Sequence, residues 1–269
     1  MKNMKLSWAL ASIVLLHSTS SVFSQQSSSS SSDDDHLRPR ISLIAVGDPP
    51  APQYDIIGSK RVLKSVGESE YPPSLLYIKN KKKEFKEVSL GLNSPARPLR
   101  HPGGAKLAFY EGKNDEMESF INVPIPNVAE DLSIFLLRSH ATKSWRKKPS
   151  SFVFKNGLLS FPKNSVRVIN FSRLPAKVLV GKKLINLKAR GSRTVSLAPA
   201  EQGILPFKIG VMVRDKTSMI AETALTYSKN ARLNIVIYEA DGHDKRKPVK
   251  YMTYFELPYQ APVKPKKNS

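Results

Sequence analysis

From Ile41 to Leu257 the apolar residues fall into short runs, and the clearest of them alternate with polar residues at a period of two. "LPFKIGVMV" sets Leu205, Phe207, Ile209, Val211 and Val213 on one side, with Lys208 and Gly210 on the other. "VKYMTYFEL" repeats the pattern, with Val249, Tyr251, Thr253, Phe255 and Leu257 against Lys250, Met252, Tyr254 and Glu256. Successive side chains leave a strand on opposite faces, so this alternation predicts strands. The shorter runs "SLLYIK", "AKLAFYE", "SFINVPI", "LSIFLL", "AKVLV" and "RLNIVIYE" are β-branched or aromatic and stop at Pro, Gly, Asn or Asp, as strands do. Asn156-Gly157 and Asp241-Gly242 predict type I′ hairpin turns, which need two residues with positive φ. The 20 prolines sit mainly at run ends. No stretch keeps a helical stripe for three turns. The chain therefore reads as all-β, with sandwiches preferred over a single barrel.

The runs also recur in order. One series starts at "SLLYIKN" (Ser74), passes "KLAFYEG", "SFINVPIP" and "DLSIFLLRS", and crosses the basic loop "KSWRKKP" into "SSFVF". A second starts at "SVRVINFS" (Ser165), passes "FKIGVMVRD", "MIAETALTYS" and "ARLNIVIYEA", and crosses "HDKRKP" into "VKYMTYF". Each ends as apolar strand, basic loop closed by Pro149 or Pro248, then aromatic strand. This predicts duplication into two tandem β-sandwich domains, residues 41–162 and 165–260, divided where "FPKNS" breaks the pattern.

The N-terminus changes the setting. Lys2 and Lys5 precede the apolar run Leu6 to Leu16, and Val22 and Ser24 are small residues at the positions a signal peptidase reads before Gln25. Residues 1–24 read as a secretory signal, residues 25–40 as a disordered Ser/Asp-rich tether and residues 261–269 as a disordered basic tail. No later segment is long and apolar enough for a membrane helix. The chain has no cysteine, which removes disulfides, thiolate chemistry and lipid attachment through Cys, and favours a bacterial envelope over a eukaryotic secretory route. The formal charge is +21, and loss of Lys2 and Lys5 with the signal takes it to +19. Such an excess draws polyanions, and export gives glycans and lipid headgroups precedence over nucleic acid.

"VRVINFSRLPAKVLVGKK" resembles the opening of small secreted bacterial β-sandwich domains of the immunoglobulin-like type. In them V-R-V-x-N-x-S leads into a second strand ending in V-x-V-G. The matching residues are Val166, Arg167, Val168, Asn170, Ser172, Val178, Val180 and Gly181. The resemblance covers one strand pair and implies a sandwich fold and an exported protein of the envelope, some such proteins being tied to exopolysaccharide modification. The two-domain basic layout also resembles a periplasmic pilus chaperone, without that family's strand signatures.

No catalytic motif, cofactor motif or metal-ligand spacing is present. His36, His101, His140 and His243 never stand four apart, and no H-E-x-x-H or G-x-S-x-G occurs. Glu68 with Glu70, and Glu116 with Glu118, each share a strand face, and read as solvated partners of nearby lysines. The basic clusters stand out. Trp145 beside Arg146, Lys147 and Lys148 offers an aromatic face for a sugar ring with cations around it. Lys245, Arg246 and Lys247 occupy the corresponding loop of the second series. The competing reading is that these cations only mark wet hairpin tips and protect sheet edges. The expected protein is an exported, non-enzymatic binding or structural protein of a Gram-negative-type envelope or matrix, periplasmic or extracellular. Its expected partner is an anionic polysaccharide or lipid headgroups. Two other classes stay open: an accessory protein that pairs strands with an envelope client, and a hydrolase with an unrecognised site.

Overall fold

The computed structural model describes residues 38–256, apart from 66, 81, 113–115, 128–129, 140–141, 143, 148, 198–202 and 242–246. The expected signal, nearly all of the expected tether and the expected basic tail lie outside the described residues, as do Lys148, Lys245 and Arg246. The first half contains β1 (Arg40–Val46), β2 (Tyr54–Ile57), β3 (Lys60–Leu63), β4 (Leu75–Lys79), β5 (Phe85–Ser89), β6 (Leu99–Arg100), β7 (Lys106–Glu111), β8 (Glu118–Pro124), β9 (Leu132–Leu137) and β10 (Ser150–Lys155). The second contains β11 (Ser165–Asn170), β12 (Ala176–Val180), β13 (Lys183–Leu187), β14 (Ser192–Ser196), β15 (Gly203–Val213), β16 (Lys216–Tyr227), β17 (Arg232–Glu239) and β18 (Val249–Glu256). Among the described residues the only helical turn is a short 3₁₀ turn at Glu68–Glu70.

The fold is all-β and built of sandwiches. In the first half the sheet β10-β9-β1-β6 faces β5-β4-β7-β8; in the second, β14-β11-β17-β18 faces β13-β12-β15-β16. With the β2–β3 hairpin set aside, both halves have one strand order, 4-1-7-8 over 3-2-5-6. In both, strands 1 and 7 run parallel: β1 with β9 and β11 with β17. Both fifth–sixth strand pairs also carry a bulge at the same place, between Phe109 and Tyr110 and between Ile209 and Gly210. The extra residue, Phe120 or Ile220, packs onto the core of its own half. This order differs from the immunoglobulin arrangement, in which the first strand pairs with the second at the side of its sheet. Here the first strand is central, held between the fourth and the seventh.

The repeat runs in a different register from the one expected. The counterpart of "SVRVIN" is β1, "RISLIAV", and "SLLYIK" corresponds to β12, "AKVLV". The reason is an insertion. The second half joins its first two strands through residues 171–175, whereas the first half places the β2–β3 hairpin and the 3₁₀ turn in that link. From β7 and β15 onward the two series match as expected.

Three apolar clusters hold the chain. One lies inside the first sandwich, with Leu43, Ile78, Phe109, Ile134 and Trp145. A second lies inside the other, with Val168, Val178, Phe207, Ile209 and Ile235. The third joins them: Ile44, Val46 and Phe135 from the first half meet Ile169, Val236, Tyr238 and Met252 from the second. At about 2 kcal/mol per buried apolar side chain these seven contribute on the order of 10 kcal/mol. The two sheets that meet here are covered on both faces. That is why β9 and β17 stay buried along nearly their whole length and each holds four apolar residues in a row, 134–137 and 235–238, while β12 alternates. It also explains the second face of β18, where Met252 and Tyr254 meet the seam and Glu256 enters a polar network.

That network closes one end of the seam. Arg232 Nη1 donates to the carbonyls of Asn156 and Phe161 at 2.6 and 3.1 Å, and its Nη2 donates to Glu256 at 3.0 Å. Arg167 donates to Lys155 O at 2.6 Å and stacks 4.0 Å from the Phe161 ring centroid. Asn156 Nδ2 donates to Glu256 at 2.5 Å. Asn156-Gly157 therefore makes no hairpin. It opens the 156–164 link between the halves, because tertiary hydrogen bonds to the asparagine outweigh its local turn preference. A hairpin the sequence did not flag, at Arg214 and Asp215, takes φ of 47° and 63° without glycine. In the opening motif, Asn170 Nδ2 donates to the carbonyls of Leu174 and Lys188, and the Ser172 hydroxyl donates to Asn170 Oδ1 at 2.7 Å. Together they turn the chain out of β11.

Candidate functional site

Strand direction decides which loops share an end. The links after β1, β5, β7 and β9 leave the first sandwich at one end, and those after β11, β13, β15 and β17 leave the second in the same way. The two ends are adjacent. Arg138, just after β9, pairs with Asp241, just after β17. Asp241 N donates to Asp48 Oδ2 at 2.9 Å, and Lys250 Nζ reaches Asp48 Oδ1 at 2.8 Å. Asn93 Nδ2 donates to Gly47 O at 2.8 Å and to the Tyr238 hydroxyl at 3.3 Å. Burial lowers the Arg138 pKa, opposed by the carboxylates of Asp48 and Glu70. The roots of the β9–β10 and β17–β18 loops are thereby fastened to each other.

Exposed cations stand on the links at this end of the two halves. Lys188 and Arg190 lie in the β13–β14 link, Arg214 and Lys216 at the β15–β16 turn, Lys147 in the β9–β10 loop and Lys247 in the β17–β18 loop. Arg190 also lines a small cleft of about 120 Å³ between the halves, with Arg138, Phe171, Tyr238 and Asp241. A wider groove of about 690 Å³ continues past Pro49, Pro50, Pro52, Glu70 and Lys250.

The residues expected to form the site fare differently. Trp145 is fully buried in the first core, and its backbone N–H donates to Ser69 O at 2.9 Å. Its ring is covered and presents no stacking face, which corrects the expected role. The chain closes β9–β10 by turning the indole inward, close to Gly47. Arg146 is exposed but pairs with Glu111 at 2.8 Å, so its charge is partly spent within the fold. Lys147 and Lys247 are exposed at the shared end. Lys148, Lys245 and Arg246 lie outside the described residues. Sequence reasoning missed Lys188, Arg190 and Arg214, which no run of basic residues marks; only the strand directions bring them to one end.

Elsewhere the polar groups have structural explanations. Glu116 and Glu118 line an open groove of about 820 Å³ with Tyr71, Tyr77, Glu111 and Arg146. His101 accepts from Gly103 N at 3.2 Å and meets Gly104 O at 3.2 Å through its other ring nitrogen, closing its own loop. Burial lowers its pKa. Among the described residues no three His, Asp or Glu side chains stand close enough to hold a metal ion. Among them, too, no helix is long and apolar enough to cross a membrane.

No protein-family model matches this chain, and no curated protein does. A solved structure named as a "putative cell adhesion protein" from Bacteroides eggerthii DSM 20697 is 10% identical, over 82% of this chain and 96% of that one. The TM-score is 0.18, a likeness too slight to carry an argument about this chain.

Proposed function

We propose that this is an exported, non-enzymatic binding protein of a bacterial envelope or matrix that engages an extended polyanion through the shared loop end. The supporting observation is the joining of the two loop roots. Arg138 with Asp241, and Asp48 with Lys250, lock the halves so that cations from both present one rigid surface. A polyanion touching both halves gains from effective concentration, while each exposed contact alone contributes at most about 1 kcal/mol. Binding is then strongly salt-dependent. The shared chemistry is a row of carboxylate, sulfate or phosphate groups. The export signal at residues 1–24 gives glycans and lipid headgroups precedence as its source.

The test is retention on an immobilised acidic polysaccharide across a salt gradient. Replacing Lys188, Arg190 and Lys247 by Gln should advance elution clearly. Replacing Lys82, Lys163 and Lys229, exposed at the opposite end, should advance it far less. Equal shifts from both triples would reduce the effect to net charge and overturn the site.

A second reading rests on β16, a twelve-residue strand at the outer edge of its sheet. An edge of that length offers unpaired backbone groups to a client strand. Client-peptide protection of β16 amides from hydrogen exchange would support it over the polyanion reading.

A further inference from the structure

Among the described residues the β2–β3 hairpin is the one strand pair of the first half with no counterpart in the second. The identical sandwich topology closes without it, so the fold does not need it. None of its eight strand residues is buried. Yet its composition is apolar: Ile56 is 75% exposed, Ile57 66% and Leu63 62%, with Tyr54 and Val62 also open. The pairing register places Tyr54, Ile56 and Leu63 on one face, and Ile57 and Val62 on the other. Gly58, at φ 63°, makes the tight turn beyond Ile57. Lys60 and Arg61 sit directly across from Ile57 and Ile56, Lys64 follows at the base, and Asp55 is the only acid of the hairpin.

We propose that this hairpin inserts into the interfacial layer of an anionic lipid surface. Apolar residues on both faces are the first reason. A protein groove would cover one face and leave the other wet, whereas a fluid apolar layer surrounds both. Charge is the second. Lys60, Arg61 and Lys64 favour anionic headgroups, and their long stems let the charges stay at headgroup level while the isoleucines enter below. The same cations oppose edge-to-edge pairing with a second copy, because like charges would face each other. Position is the third. Lys64 N closes the base of the hairpin on Gln53 O at 2.8 Å, and Gln53 lines the groove at the shared loop end. Four residues per strand give a reach of roughly 13 Å, enough for interfacial but not transmembrane depth. This rests on the polyanion reading and names lipid as the source of the anions.

The test uses the full mature chain and sedimentation with vesicles, either neutral phosphatidylcholine or the same lipid with 30% phosphatidylglycerol by design (roughly the anionic load at which polybasic attraction is strong). The expected result is binding to the anionic vesicles, weakened on the order of thirtyfold in I56S/I57S, whose polysaccharide elution stays unchanged. An I57W variant should show a blue-shifted emission with anionic vesicles, against the constant background of buried Trp145. Unchanged vesicle binding in I56S/I57S, equal binding to neutral vesicles, or no shift in I57W would overturn insertion. So would a dimer of the wild type that I56S/I57S dissociates. If polysaccharide retention survives those results, only the hairpin inference fails; if retention is also lost from the wild type, the polyanion reading fails with it.

Discussion

Replacing Glu256 by Leu should destabilise the protein by about 3–5 kcal/mol, the range for breaking a buried ion pair from one side. The carboxylate accepts from three donors: Arg232 Nη2 at 3.0 Å, Asn156 Nδ2 at 2.5 Å and Asn234 Nδ2 at 3.1 Å. The Arg232 side chain is only 5% exposed and that of Glu256 16%, so water cannot replace the lost partner cheaply. Arg167 stands in the same network, its pKa lowered by burial to about 10 despite the opposing pull of Glu256. With the carboxylate gone, two guanidiniums share a buried space with only the weaker pull of Glu130 and Asp131 to offset them. At about 2–4 °C per kcal/mol for a chain of this size, Tm should fall by roughly 10 °C. Urea unfolding should show the same loss, and the loss should persist in 0.5 M NaCl (about a 4 Å Debye length, short but irrelevant to a dry pair). In a double-mutant cycle with Arg232→Met the coupling should reach about 2 kcal/mol. A loss below about 1 kcal/mol, or one that salt halves, would make Glu256 an ordinary surface partner and refute the network as the clasp of the 156–164 link.

Trp145→Ala should cost about 3–5 kcal/mol through the cavity it leaves, with polysaccharide elution of the folded variant unchanged; earlier elution would restore the indole as a ligand contact. The buried tyrosines should contribute stability that is lost as pH rises above about 10. Burial raises the phenol pKa of Tyr227 to about 12 and also raises those of Tyr238 and Tyr254. The folded chain then keeps protons that the unfolded chain has shed, and stability is lost through that window. Arg138, Arg167 and Arg232, their pKa values lowered by burial, work in the opposite sense, so the test is the difference from Tyr227→Phe: the wild type should lose stability relative to that variant through this window, and parallel alkaline urea titrations of the two would refute the assignment. Toward acid, His101 should have the reverse slope of the tyrosines. Its depressed pKa gives stability that is present above about 6.5 and lost below, and His101→Gln should flatten that limb.

The period of two was enough for the fold class, because one strand face meets a core and the other does not. It placed β15 and its buried row of Leu205, Phe207, Ile209 and Val211. It also set the order of matching runs from β7 and β15 onward. The four-residue apolar stretches of β9 and β17, 134–137 and 235–238, already held a sign of the seam, since side chains that are apolar on both faces of a strand need cover on both sides. Other features depend on contacts between residues far apart in the chain. Trp145 and Lys147 are two positions apart in one basic stretch, yet one is core and the other solvent, and no local pattern separates them. Asn156-Gly157 has the strongest local turn preference in the chain, and Glu256, a hundred residues away, redirects it. Lys147, Lys188, Arg190, Arg214 and Lys247 are scattered over a hundred positions. They share one end because parallel pairing of the first and seventh strands sends the same links to one end of each half, and the apolar seam sets those ends side by side. Periodicity is a property of a strand and its two faces; direction and neighbourhood arise only when strands pair and sheets pack.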